Sequence, residues 1–172
     1  RSNPRVMLAP IIFGGGHERG LRSGTLNVPA IVGLGAALQI AQREMDSDSA
    51  QFRSWTNRMH QRIAGEIDGV QLNGHPSNRL PHNLNLSLPG VESKALIVKL
   101  KGVAISAGSA CTTTKMLPSH VILSLGFGEE RAHTAIRIGV GRYNDDGQID
   151  LAIDRMIEAL REIAAISPPL VP

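Results

Sequence analysis

Six residues, Asn83 to Leu88, read N-L-N-L-S-L. Strict alternation puts Leu84, Leu86 and Leu88 on one face of a strand and leaves the other face polar. Such a strand is half-buried, and something apolar has to cover its leucine face. Ala135 to Val140 repeats the pattern with Ile136, Ile138 and Val140. The covering elements are equally legible. Phe52, Trp55, Met59, Ile63 and Ile67 recur at helical spacing, as do Ile149, Ile153, Met156, Ile157, Leu160 and Ile163. Each set forms the apolar stripe of a helix. Helices covering one small sheet make a compact α+β domain. No βαβαβ series and no internal repeat is present.

The remaining segments are shorter. Val6 to Phe13 is an apolar run expected to be strand-like, broken by Pro10 and ended by Gly14-Gly15-Gly16. Pro29 suits a first helical turn, and Ala30 to Met45 predicts one helix. Asp46-Ser47-Asp48-Ser49 is expected to break that helix and to cap the next, which Asp68-Gly69 ends. Val70–Leu72 and Val103–Ser106 are expected short strands. Glu92–Leu100 and Ser119–Leu125 are expected short helices, closed by Gly102 and Gly126. Asp145 or Asp146 caps the last helix, which Ser167-Pro168-Pro169 ends.

Composition narrows the function classes. The 172 residues suit one domain, or one domain plus a piece of another. A net charge of +3 is mildly basic and gives no reason to expect a nucleic-acid partner. No run of about 18 apolar residues exists, so no membrane partner is expected either. A single cysteine excludes an internal disulfide framework and a Cys-rich zinc module. The chain opens on Arg1-Ser2 rather than Met, with no signal peptide, and is expected to be a processed or truncated piece in a cytoplasmic setting.

Three places could carry chemistry. Cys111 sits in S-A-G-S-A-C-T-T-T, without large apolar neighbours. A lone cysteine is often just a small buried residue, but this composition predicts an accessible thiol. A reactive one needs nearby positive charge or a base. Arg137 lies in A-I-R-I-G-V-G-R, facing away from Ile136 and Ile138. An arginine fixed on a strand can clamp a carboxylate in bidentate fashion, or serve only as a surface ion-pair partner. Gly139 and Gly141 would let a ligand approach closely. The stretch Gly14 to Thr25, G-G-G-H-E-R-G-L-R-S-G-T, supplies free backbone N–H groups, two arginines and two hydroxyls, which suits a phosphate. A plain flexible loop is the alternative. It is neither a P-loop nor G-x-G-x-x-G. The six histidines show no metal-ligand spacing, and at least four are expected to be solvated or structural. Asp150, Asp154, Glu158 and Glu162 are expected to form a solvated face of the last helix.

Taken together, G-G-G-H-E-R-G-L-R-S-G-T-L-N-V-P, S-A-G-S-A-C-T, P-S-H-V-I-L-S-L-G and I-R-I-G-V-G-R resemble, in order and spacing, the C-terminal part of cysteine desulfurases of the NifS/IscS type. These are pyridoxal-phosphate (PLP) enzymes of the class V aminotransferase family. The resemblance implies the end of the large cofactor domain at 1–28 and the C-terminal small domain of a fold type I transferase, α/β in the full enzyme, at 29–172. It implies that Cys111 takes sulfur from L-cysteine as a persulfide, releasing L-alanine, and that Arg137 binds the substrate α-carboxylate. Thr25 would reach the PLP phosphate of the neighbouring subunit of a homodimer, and Ser23, Arg22 and His17 would line that shared site. The sulfur acceptor would be an iron–sulfur scaffold or another acceptor protein. The family's Schiff-base lysine, in an S-x-H-K-like motif upstream of the glycine stretch, is absent from this chain. Lys115 follows the cysteine and does not match it, and Leu117 stands where many members carry an acidic residue. Two other readings need no cofactor: a persulfide carrier or sulfur-relay module, and a non-catalytic dimerisation module with Cys111 buried.

Overall fold

The computed structural model describes residues 6–107 and 118–166. The chain divides into two compact units, Arg1–Met45 and Asp46–Pro172.

The second unit holds a four-stranded antiparallel sheet. Its strands are β1 (Gln71–Leu72), β2 (Asn83–Ser87), β3 (Ser106–Ala107) and β4 (Ala135–Gly139), in the order β1-β2-β4-β3. Leu84 lies opposite Ile138 and Leu86 opposite Ile136, so the alternating leucines and isoleucines share one face. Three helices cover that face: α1 (Val28–Glu66), α2 (Ser93–Lys99) and α5 (Asp146–Ile166). The core joins Trp55, Met59 and Ile63 of α1 to Leu84 and Leu86 of β2, to Leu96 of α2, and to Ile153, Met156 and Leu160 of α5. This is the expected α+β arrangement. Two short helices, α3 (His120–Ser124) and α4 (Glu129–His133), form a small second cluster, Ile122, Ala132 and Ala135 with Phe127 packed against it.

Polar contacts fix α5 against α1. Asp145 caps α5, its carboxylate accepting from Gln148 N–H at 2.7 Å. Asp146 accepts from Trp55 Nε1 at 2.9 Å and Arg58 at 2.7 Å. Arg62 pairs with Asp154 at 2.8 Å, and Lys99 of α2 with Glu162 at 2.6 Å. The acidic face of α5 is therefore exposed but salt-bridged, not merely solvated. At the end of α1, Gly69 takes φ +75° with Pro89 at van der Waals distance from where a Cβ would stand.

Three expectations fail. The helix break at 46–49 does not occur: α1 runs through as 39 residues. Asp and Ser each cost a helix interior well under about 1 kcal/mol, and no glycine or proline stands there to stop it. Val6–Phe13 is not a strand; Leu8, Ile11 and Phe13 are exposed irregular chain. A strand needs a ladder partner, and every described strand lies in the other unit. The strand expected at Val103–Ser106 shrinks and shifts to Ser106–Ala107.

Candidate active site

The polar face of the sheet carries the first expected site residue. Arg137 is exposed between the buried Ile136 and Ile138. Asn85 of β2 lies directly opposite it on one side, and Ser106 of β3 on the other. Directly opposed residues project to the same face, so Asn85, Arg137 and Ser106 make one row across three strands. No described residue bonds to the Arg137 guanidinium. Toward the described residues its donor fork is open, and such a fork suits a planar anion such as a carboxylate. A Cβ added at Gly139 or Gly141 would meet no described atom within 4 Å.

The row continues past β2 into a closed hydrogen-bond network. Asn73 is buried, and its Nδ2 donates to Asn85 Oδ1 at 2.7 Å and to Ser87 Oγ at 2.8 Å. Ser87 Oγ donates onward to the Arg131 carbonyl at 2.9 Å. Arg131 Nε donates to Asn73 Oδ1 at 2.7 Å and its Nη2 to the Leu72 carbonyl at 2.9 Å. The same guanidinium lies 3.5 Å from the Phe127 ring centroid, a cation–π contact. Sequence reasoning singled out none of Asn73, Asn85 and Arg131. The available signal was the polar half of N-L-N-L-S-L.

Cys111, Lys115 and Leu117 lie outside the described residues. Ala107, which precedes that stretch, pairs with Ile136, the chain neighbour of Arg137.

The first unit holds the glycine-rich stretch, and the structure describes all four expected residues there. Ser23 is 4% exposed. Its Oγ accepts from Gly16 N–H at 3.2 Å, and its own N–H donates to the Ile12 carbonyl. It ties the two limbs of the loop together. Arg22 folds back, donating to the Gly24 and Thr25 carbonyls at 3.0 and 3.1 Å. Thr25 and His17 are exposed. Glu18 and Arg19 both take positive φ, 54° and 57°, a conformation costly to non-glycine residues. Asn27 caps α1, its Oδ1 accepting from Ala30 N–H at 3.2 Å. The loop thus offers an exposed hydroxyl and a guanidinium in a constrained turn, which fits a phosphate group. No described lysine lies in this unit.

The histidines are dispersed. His75 Nδ1 accepts from the N–H groups of Ser77 and Asn78, and His82 sits edge-on to Phe52. Among the described residues no cluster of His, Cys, Asp or Glu could hold a metal ion. No described helix is long and apolar enough to cross a membrane.

A model of the aminotransferase class-V family matches residues 8–151. The chain belongs to that family. Among similar class-V proteins, cysteine desulfurase IscS of Rickettsia rickettsii (strain Iowa) is 45% identical over 168 residues, 98% of this chain. The Rickettsia prowazekii (strain Madrid E) protein of the same name is 44% identical over the same span. The chain spans 41% of the length of each. Among solved structures, a NifS-like protein superposes with a TM-score of 0.77 at 29% identity, covering 91% of this chain and 40% of that one. The NifS-like protein from Rickettsia africae ESF-5 gives 0.73 at 26% identity, covering 93% and 41%.

Proposed function

We propose that this class-V chain is the C-terminal portion of a PLP-dependent cysteine desulfurase. The reaction moves sulfur from L-cysteine to Cys111, leaving L-alanine and an enzyme persulfide for an iron–sulfur scaffold or another acceptor protein. The observation that carries the reading is the row on the polar sheet face. Arg137, with no partner among the described residues, stands opposite Ser106 of β3, the strand from which the chain continues toward Cys111. The 45% identity to proteins named cysteine desulfurase supports it.

Arg137 binds the substrate α-carboxylate, and charge-assisted bonds of this kind contribute roughly 1.5–3 kcal/mol. It is held rigidly by a central strand, so the anchored end of the substrate does not drift. Cys111 acts as a thiolate on the substrate sulfur: the new S–S bond forms as the substrate C–S bond breaks. The carbon keeps that electron pair, takes a proton and becomes the methyl group of alanine. PLP, when bound, supplies the electron sink that makes this cleavage accessible. Thr25 Oγ1 and the Arg22 charge hold the phosphate of that cofactor, in the site of the neighbouring subunit of a homodimer. Ser23 keeps the turn closed beneath them, and His17 lines the same loop. Residues 1–28 then belong to the end of the cofactor domain and 29–172 to the small domain, in a cytoplasmic enzyme. The ring pocket and the Schiff-base lysine are assigned to residues outside this chain.

The test is turnover of L-cysteine by the PLP-loaded, full-length protein. With excess dithiol present to reduce the Cys111 persulfide, the dithiol becoming a disulfide, alanine and sulfide should appear in equal amounts. Cys111→Ser should retain the cofactor yet release no sulfide. Sulfide release by that variant at the unmodified rate would defeat the proposal.

A further inference from the structure

We infer that Asn85 is a second carboxylate donor beside Arg137, with its amide turned the right way round by Arg131 acting through Asn73. The inference rests on Arg137 being a carboxylate clamp and names the partner residue of that same site.

Hydrogen-bond polarity fixes which way each amide points. A guanidinium has donors only. Arg131 Nε, 2.7 Å from Asn73, therefore requires an oxygen, and Asn73 presents Oδ1. Both N–H bonds of Asn73 Nδ2 are then spent on Asn85 Oδ1 and Ser87 Oγ. Asn85 must in turn offer its oxygen to Asn73, so its Nδ2 is the edge left over. The sheet order puts Asn73 beyond β2 on one side of Asn85 and Arg137 on the other. No described residue accepts from Asn85 Nδ2. That atom is also absent from the sealed, unpartnered polar atoms of the described fold, which are Arg58 Nε, Arg79 Nη1 and Asn83 Oδ1. An amide donor whose direction is fixed thus stands directly opposite an arginine, and among the described residues neither group has a partner. Two donors side by side on neighbouring strands match the two oxygens of one carboxylate. Arg131 touches no substrate in this scheme and is a positioning residue.

The experiment uses the full-length, PLP-loaded protein carrying Cys111→Ser, so that ligands bind without sulfur transfer. Dissociation constants are measured for L-cysteine and for cysteamine, which lacks the carboxylate, from the change in cofactor absorbance. Asn85→Ala removes the donor, and Asn85→Asp keeps the acceptor for Asn73 while replacing the donor by an anionic oxygen. Both should weaken L-cysteine by about tenfold or more and leave cysteamine within about twofold. Equal effects on the two ligands, or none on L-cysteine, in variants of unchanged thermal midpoint would overturn the assignment. Arg137→Ala separates the premise from the inference. If it fails to lower the preference for L-cysteine over cysteamine, the clamp itself is wrong. If it lowers that preference and the Asn85 variants do not, only the Asn85 assignment falls.

Discussion

Trp55 Nε1 donates to Asp146 Oδ1 at 2.9 Å, tying α1 to the first turn of α5. That bond, with the one from Arg58, holds the Asp146 carboxyl below its ordinary value. A depressed carboxyl stabilises the fold fully above the unfolded-state value of about 3.9 and loses that contribution as pH falls through the folded-state value. Asp146→Asn should lower the thermal midpoint at neutral pH and flatten its decline under acid. Unchanged acid unfolding in the variant would contradict this.

His60 acts in the same direction at higher pH. Burial, and then the charge of Arg79, lower its pKa, so the folded state favours the neutral ring. Its contribution is complete above the unfolded value of about 6.5 and is lost as pH falls below that toward the folded value. His60→Gln should reduce the slope of stability against pH between about 6.5 and 5. Denaturant midpoints at several pH values measure it, and parallel curves for the two proteins would refute the assignment.

The inner sheet face makes a prediction about packing. Leu86 and Ile153 are 0% exposed in one core, whereas Val98 on α2 is 83% exposed. Truncating Leu86 or Ile153 to alanine should cost about 2–5 kcal/mol, and Val98→Ala about 0.5 kcal/mol or less. Chemical denaturation ranks them, and similar costs at all three would argue against the two-layer arrangement.

Thr25 and Ser23 should separate binding from loop shape. Thr25→Val removes an exposed hydroxyl and should weaken PLP by about tenfold while sparing pyridoxal, which has no phosphate. Ser23→Ala removes the acceptor used by Gly16 N–H and should loosen the turn, raising proteolysis within 14–25. Equal weakening of PLP and pyridoxal by Thr25→Val would remove it from the phosphate site.

Much of this fold was legible because burial imposes a period. Leu84, Leu86, Ile136 and Ile138 announced the sheet, and Trp55, Met59 and Ile63 the helix above it. What escaped was set by partners rather than by period. Val6–Phe13 has the composition of a strand but no described ladder to join. Asp46–Ser49 has the composition of a cap but nothing that stops a helix already under way. α4 has five residues, too few to show a stripe. At the site, Arg137 could be placed from its neighbours, because two buried isoleucines fix its face. Asn85 could not, since its meaning depends on Asn73 and Arg131, which are 12 and 46 residues away and meet it only in the folded sheet.

The proposed reaction stands or falls on Cys111 receiving the sulfur of L-cysteine. Intact-mass and peptide-mass analysis of the full-length, PLP-loaded protein after one turnover with L-cysteine, without reductant or acceptor, tests it directly. One added sulfur atom is expected on the Cys111 peptide and none anywhere in Cys111→Ser. Equal sulfur uptake by the two proteins would contradict it.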